Sequence, residues 1–297
     1  MADREALTLS WQLPARARRI GFAGLTAVAL MMLASCSTAD QEELKRLAEP
    51  EGVTDRSGTL HSLWIWSWVA AILVGILVWG LILYACWRYR RRRDDEVPVQ
   101  TRYNLPIEIL YTVAPVIMVL VFFFYTVKAQ DVALADPPGG KADHVVTVVG
   151  QQWSWTFNYD KDSALDGSTT VFDAGTTADK PTLYLPVDES VLFKLRSPDV
   201  IHDFWVPSFL MKMDVVPGRE NSFSLTPTRE GTYVGRCAEL CGAYHSRMLF
   251  DVKVVSADDY AAHLQKLQQE GNIGPALGGS DATTQKGLEG NENGAGE

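Results

Sequence analysis

Between Cys237 and Met248 the chain carries two thiols (Cys237, Cys241), an imidazole (His245) and a thioether (Met248) within twelve residues. Sulfur ligands of this softness with imidazole select copper, zinc or iron–sulfur centres, and histidine with cysteine and a weak methionine points to electron-transfer copper. A second imidazole, His202, lies upstream in Asp199-Val200-Ile201-His202-Asp203-Phe204, at the end of a different expected strand. A folded sandwich can bring that strand end beside the cysteine loop. A Cys237–Cys241 disulfide suits an oxidising compartment but leaves His202, His245 and Met248 without a role. Structural zinc has no use for Met248, and a mononuclear blue-copper site needs only one cysteine. The second thiolate in the same loop suggests two metals bridged by two sulfurs.

The elements that must position these ligands read as short strands. Runs rich in Val, Thr and aromatics cover Val145 to Tyr159, Thr182 to Leu185, Val191 to Leu195, Ser222 to Leu225, Thr232 to Arg236 and Met248 to Val255. Asp166-Gly167, Pro217-Gly218 and Glu230-Gly231 separate several of them, the spacing of a β-sandwich or barrel. A Pro-Pro-Gly-Gly linker at Pro137 to Gly140 precedes the first run, Ala257 to Gln269 is expected as a closing helix, and the Gly-, Asn- and Glu-rich tail after Gly271 is expected to be disordered.

The N-terminal half is organised by a membrane. Arg16, Arg18 and Arg19 precede the apolar run Ile20 to Ala34 and the small residues before Cys36, the pattern of a secretory signal. The run Leu63 to Trp87 is long enough to cross a bilayer, and Trp64, Trp66, Trp68 at one end with Tyr84, Trp87, Tyr89 at the other make aromatic belts. Arg88 and Arg90 to Arg93 follow and fix that end in the cytoplasm. The run Ile107 to Val127, with Pro115 inside and Glu108 at its cytoplasmic edge, returns through the membrane. Ionisable residues in such segments are functional candidates, although an acid this near the end can also simply reach headgroup water. Everything from Asp131 onward is therefore expected outside. That part carries 24 acidic against 13 basic residues, which argues against nucleic acid as a partner and is compatible with a positively charged protein partner.

Two resemblances sharpen this. Leu33-Ala34-Ser35-Cys36 resembles the bacterial lipoprotein box, which implies a lipid on the Cys36 thiol and a mature chain beginning there. The pattern Cys-x-Glu-x-Cys-x3-His-x2-Met with an upstream histidine resembles cytochrome c oxidase subunit II. The similarity runs over roughly Ser62 to Val255 and takes in the helical hairpin, Gln152-Trp153-Ser154-Trp155, and Asp199 to Arg219. It implies a membrane-anchored all-β protein: a two-helix transmembrane hairpin followed by a cupredoxin-like Greek-key β-sandwich, in a bacterial cell membrane with the sandwich outside. The expected segments are a lipoprotein-type signal at 1–35, an extracytoplasmic stretch at 36–61, the hairpin with its basic loop at 62–130, the copper domain at 141–256, a helix at 257–270 and a tail at 271–297.

The resemblance also implies roles. Cys237 and Cys241 would bridge two coppers, with His202 and His245 as terminal ligands. Met248 would ligate one copper and the Glu239 carbonyl the other, while the Glu239 carboxylate would reach a magnesium ion shared with subunit I. Trp153 would be where electrons arrive and Glu108 the mouth of a proton-uptake path; Trp155, read simply as a strand aromatic, is expected in the core. Implied partners are oxidase subunits I and III, membrane lipid, and a cytochrome c that is soluble, tethered or complex-bound. The haems, oxygen reduction and proton translocation would belong to the partner subunit. Ser154 and Asn158 depart from the family, which usually has an aromatic and an acid there, and both are expected near the donor face. A quinol oxidase subunit II would share the fold without the ligands. A copper-delivering lipoprotein would keep the ligands without needing Trp153 or Glu108.

Overall fold

Two long apolar helices precede ten strands in the computed structural model, which describes residues 38–93, 97 and 99–276. The expected signal and Cys36 lie outside the described residues. Residues up to Glu49 group into a unit of their own, whose described part holds helix α1 (Thr38–Lys45). Everything from Pro50 belongs to the second unit.

Helix α2 (Ser57–Arg88) has 32 residues and α3 (Leu105–Ala133) has 29. At 1.5 Å per residue both exceed the roughly 30 Å of bilayer hydrocarbon, and both contain the spans read from the sequence. Their apolar side chains, Leu73, Ile76, Leu110 and Leu120 among them, face outward. That suits lipid or protein neighbours and would be costly in water. The start of α3 is capped reciprocally: Asn104 Oδ1 accepts from the Ile107 amide at 3.5 Å, and Glu108 Oε1 accepts from the Asn104 amide at 2.8 Å.

The strands are β1 (His144–Gln151), β2 (Ser154–Tyr159), β3 (Val171–Ala174), β4 (Thr182–Pro186), β5 (Val191–Arg196), β6 (His202–Val206), β7 (Met211–Val215), β8 (Asn221–Leu225), β9 (Gly231–Cys237) and β10 (Leu249–Val255). They form two five-stranded sheets, ordered β3-β2-β1-β5-β8 and β4-β10-β9-β6-β7. β1–β5 and β4–β10 pair in parallel, the other pairs antiparallel. This is the expected two-helix anchor followed by a β-sandwich.

Period-two alternation sends Trp155, Phe157, Tyr159, Phe193, Phe204 and Phe250 into the space between the sheets, each at most 1% exposed. Phe250 meets Trp155, Phe157 and Phe204 with ring centroids 5.1–5.4 Å apart. Burying each such ring contributes about 1.5–3 kcal/mol of transfer free energy. Gly235 makes the approach possible, because a Cβ there would lie 2.1 Å from the Phe250 ring.

Helix α4 (Ala257–Gln269) closes one side, with Ser256 accepting from the Asp259 amide as its N-cap. The first residues of the segment expected to be disordered are held instead. Phe172 N donates to Asn272 O, Gly274 N to Thr170 O, and Asn158 exchanges hydrogen bonds with the Ala276 backbone. The β3 edge and the Asn158 side chain on β2 offer those bonds, tertiary partners that composition does not report. Residues from 277 lie outside the described ones.

Candidate metal centre

His202 opens β6 on the same strand face as Phe204, so the alternation that buries Phe204 also turns His202 inward at the end of the sandwich. Phe204 pairs with Cys237 across β6 and β9, which sets the histidine strand beside the cysteine loop. From Cys237 the chain leaves the sheet, passes Cys241 and a one-turn helix at His245–Arg247, and rejoins it as β10 just after Met248. Cys237, Cys241 and Met248 are buried, at 5%, 4% and 0% exposure.

The donor atoms converge. Cys237 and Cys241 Sγ are 3.9 Å apart and unbonded. His202 Nδ1 is 3.9 Å from the Cys237 sulfur, and His245 Nδ1 is 3.6 Å from that of Cys241. Met248 Sδ is 3.7 Å from Cys241 Sγ, and the Glu239 carbonyl oxygen 3.2 Å from Cys237 Sγ. The Asp199 carboxylate, 2.8 Å from His202 Nε2, can only accept, so a proton sits on Nε2, and Nδ1 is the ring atom turned to the sulfurs, where it would ligate a metal. Asp199 also accepts from the Gln152 amide at 2.7 Å. Nothing in the sequence reading picked Asp199 out, although its position three residues before His202 is a usable signal.

Electrostatics distinguish the thiols. Burial pushes the Cys237 thiol up, but the His202 ring and the Asp203 and Glu239 backbone groups outweigh it and leave it below its usual range. Burial, then the neighbouring Cys237, pushes Cys241 up. One thiol therefore ionises well before the other, and a cation is the species that would let both be thiolates together.

Trp153 sits at the β1–β2 turn against this loop, its preceding peptide cis. Its indole Nε1 donates to the Cys241 carbonyl at 3.2 Å, and Gln152 Nε2 donates to the same oxygen at 2.7 Å. Trp155 is fully buried, as expected of a core aromatic, and its indole donates to the Met248 carbonyl at 3.3 Å. Ser154 and Asn158 are not at a docking face: both are buried, at 2% and 1% exposure. Both faces of β2 are covered, so their departures from the family pattern change an interior.

On the other side the exposed Glu239 lines an open cavity of about 410 Å³ with Asp203, Lys212, Met213, Asp214 and Asn221. Burial raises the Asp203 carboxyl to about 6, and its Oδ1 is buried without a hydrogen-bond partner among the described residues. Glu108 is remote from this cluster in the chain, in the first turn of α3 and serving its cap.

Two membrane-length helices followed by a cupredoxin-like sandwich, with two cysteines, two histidines and a methionine gathered at one end, fit a membrane protein with a candidate metal centre. The chain belongs to the cytochrome c oxidase subunit II family, components of the respiratory oxidase complex. The family's periplasmic domain matches residues 144–255 and its transmembrane domain residues 59–128. A probable cytochrome c oxidase subunit 2 of Streptomyces avermitilis is 45% identical over 278 residues, covering 82% of this chain and 86% of that one. Cytochrome c oxidase subunit 2 of Corynebacterium glutamicum is 32% identical over 307 residues, with 83% and 84% covered. Among solved structures, the periplasmic domain of subunit II of cytochrome oxidase from Bradyrhizobium japonicum is 27% identical, covers 44% of this chain and 96% of that one, and has a TM-score of 0.39.

Proposed function

We propose that this chain receives electrons from a cytochrome c at a dinuclear copper centre and passes them to the haem-carrying subunit I, where oxygen is reduced and protons are translocated. The observation that carries the reading is the convergence of two thiols, two imidazole Nδ1 atoms, a thioether and a carbonyl, with neighbouring donors 3.2–3.9 Å apart. The donor set fits two coppers: Cys237 and Cys241 would supply thiolates shared between them, His202 and His245 imidazole nitrogens, and Met248 and the Glu239 carbonyl the weaker ligands. Such a centre, when bound, takes up and releases single electrons with the charge shared over both metals. The protein's part is to hold the ligands still. Asp199 fixes the His202 ring, and the β6–β9 pairing fixes the strands.

Trp153 is the electron entrance in this reading, because one hydrogen bond links its indole to the backbone of a ligand. The Glu239 carboxylate, with the orphaned Asp203 oxygen, suits a magnesium ion at the subunit I interface. Glu108 stands at the mouth of a proton path, Cys36 carries a lipid, and subunit III completes the core complex.

Copper quantitation and EPR on the purified complex test the reading. Two coppers per chain with a mixed-valence signal are expected. Cys237→Ser should abolish that signal, and its survival would refute the bridging role. Met248→Leu should keep both coppers while shifting the redox potential, whereas unchanged transfer kinetics would remove Met248 from the ligand set.

A further inference from the structure

The surface by which a donor reaches Trp153 contains two residues that none of the roles above uses. Tyr244 meets Trp153 edge-on, with centroids 5.0 Å apart and planes at 81°, and is 47% exposed. The Arg247 guanidinium lies 5.8 Å from the Tyr244 ring centroid, a cation–π distance. Arg247 is exposed and makes no ion pair among the described residues. Asp199, an acid of the same region, is already engaged by His202 and by the Gln152 and Val200 amides. Ile201 and Leu240, each next to a buried ligand in sequence, are 46% and 78% exposed.

We infer that Trp153, Tyr244 and Arg247 form the donor-docking surface, and that Arg247 selects a c-type cytochrome whose haem edge is rimmed by carboxylates rather than lysines. The inference rests on the reading of Trp153 as the electron entrance. Two electrostatic ranges have to be separated. The domain's net negative charge acts at long range and is screened over about 8–10 Å at physiological ionic strength. At contact, the exposed charge beside the aromatic pair is the Arg247 cation, whereas the Asp199 carboxylate is turned to His202 and two backbone amides with its side chain 23% exposed, and like charges brought against Arg247 are disfavoured. A lysine-rimmed haem edge is thus drawn toward the domain and rejected at the entrance. A carboxylate-rimmed edge gains an ion pair with Arg247 as its haem settles over Tyr244 and Trp153. The electron leaves the partner's ferrous haem, which becomes ferric, and the oxidised centre gains it; no bond or proton moves.

The test uses the intact oxidase complex and one cytochrome c in two forms, native with its lysine rim and succinylated so that the lysines become carboxylates. The haem is the same and the rim charge reversed. The wild type should show the lower KM for the succinylated form. Arg247→Glu should raise that KM and lower the KM for the native form, each by about tenfold, the size of one contact ion pair of about 1.4 kcal/mol. Arg247→Lys should keep the wild-type preference. Tyr244→Leu should slow both donors alike and Tyr244→Phe should restore them. Arg247→Glu moving both KM values together, or by less than twofold, overturns the inference, as does a preference for native cytochrome in both wild type and Arg247→Lys. Copper content and the mixed-valence signal are measured in every variant. Their absence in the wild type would refute the copper reading itself, a result distinct from a changed donor preference.

Discussion

Gly242 shows how tightly single residues are held at the metal centre. Its φ is +126°, and a Cβ there would lie 3.0 Å from Trp153 Nε1 and 3.1 Å from Gln152 Nε2. Those two nitrogens converge on the Cys241 carbonyl. Gly242→Ala therefore combines a backbone strain of about 1–3 kcal/mol with displacement of the indole. The variant should bind copper while its rate of reduction by donor falls, most visibly in stopped-flow at saturating donor. A full rate at full copper content would show that the Trp153–Cys241 hydrogen bond is not on the electron path. The convergence of Cys237, Cys241, His245 and Met248 is legible from residue spacing because they are close in the chain. His202 is suggested by its position at a strand end and by the family resemblance, and the fold places its ring beside Cys237. Asp199 was missed, since its hydrogen bond to a ring that only folding brings to the site leaves little trace in sequence. Ser154 and Asn158 were misplaced for a related reason: whether the second face of β2 is covered is decided by tertiary packing.

At the scale of elements, the sequence shows Val145 to Tyr159 as one continuous run, whereas the chain turns at Gln152-Trp153. No Gly, Pro, Asn or Asp marks that turn, so local turn chemistry could not reveal it. Asp199 and the Cys241 carbonyl hold it from other parts of the fold. The closing helix α4 was legible from its pattern and N-cap, but its attachment was not. Tyr260 donates to Asp162 at 2.8 Å, and buried His144 bridges Asp162 at 2.8 Å and Glu189 at 2.5 Å. Asp143 beside it is engaged by Ser190. Burial lowers the His144 pKa, but Asp162 and Glu189 outweigh it and raise it above 6.5. Burial raises Asp162, but His144, the Ala164 amide and Tyr260 leave it below 3.8. The His144 contribution is therefore complete below pH 6.5 and lost as pH rises through its folded value. The Asp162 contribution is complete above pH 3.8 and lost in stronger acid.

His263, on α4 and stacked 3.6 Å from Tyr184, has the opposite sign. Burial, then Lys266 and Lys253, lowers it to about 4, so stability is lost as pH falls from 6.5 toward 4. The protection of α4 amides against hydrogen exchange in the full chain, taken relative to the intrinsic rate at each pH, should thus be greatest near pH 6.5 and fall on both sides. His263→Phe should flatten the acid side, and His144→Gln the alkaline side. Unaltered limbs in both variants would show that these histidines do not govern the helix's attachment.

For the whole molecule, the decisive contacts lie where the hairpin meets the sandwich. Both helices are legible from hydropathy and Pro137 to Gly140 reads as a linker, but the stretch at 36–61 carries no sign of where it packs. The segment before α2 is laid against the sandwich: Val53 N donates to Ser208 O, Asp55 N to Thr226 O, and Thr228 N to Val53 O. Arg56, with a side chain 14% exposed, faces Asp55 at 3.2 Å and donates to the Ala135 carbonyl at 3.4 Å, just beyond the end of α3. Ser224 on β8 donates to that same carbonyl at 3.0 Å. The Arg56 guanidinium thus ties the ends of both helices to each other, while Ser224 at the Ala135 carbonyl and Thr226 at the Asp55 carboxylate hold that junction on the sandwich. If onward transfer to subunit I depends on a fixed distance between centres, this junction matters more than its small area suggests. Arg56→Ala should leave copper content and the EPR signal intact, because the ligands hang from β6, β9 and their loop. Reduction by donor should also be unchanged, while transfer from the copper centre to the haem slows and becomes heterogeneous. Arg56→Lys should restore only part of the rate, since an ammonium keeps the Asp55 charge pair but loses the planar fork that also reaches Ala135. Time-resolved oxidation of the centre after photo-induced electron injection separates the two steps. A single unaltered rate in Arg56→Ala would mean that packing against subunit I alone sets the position of the domain.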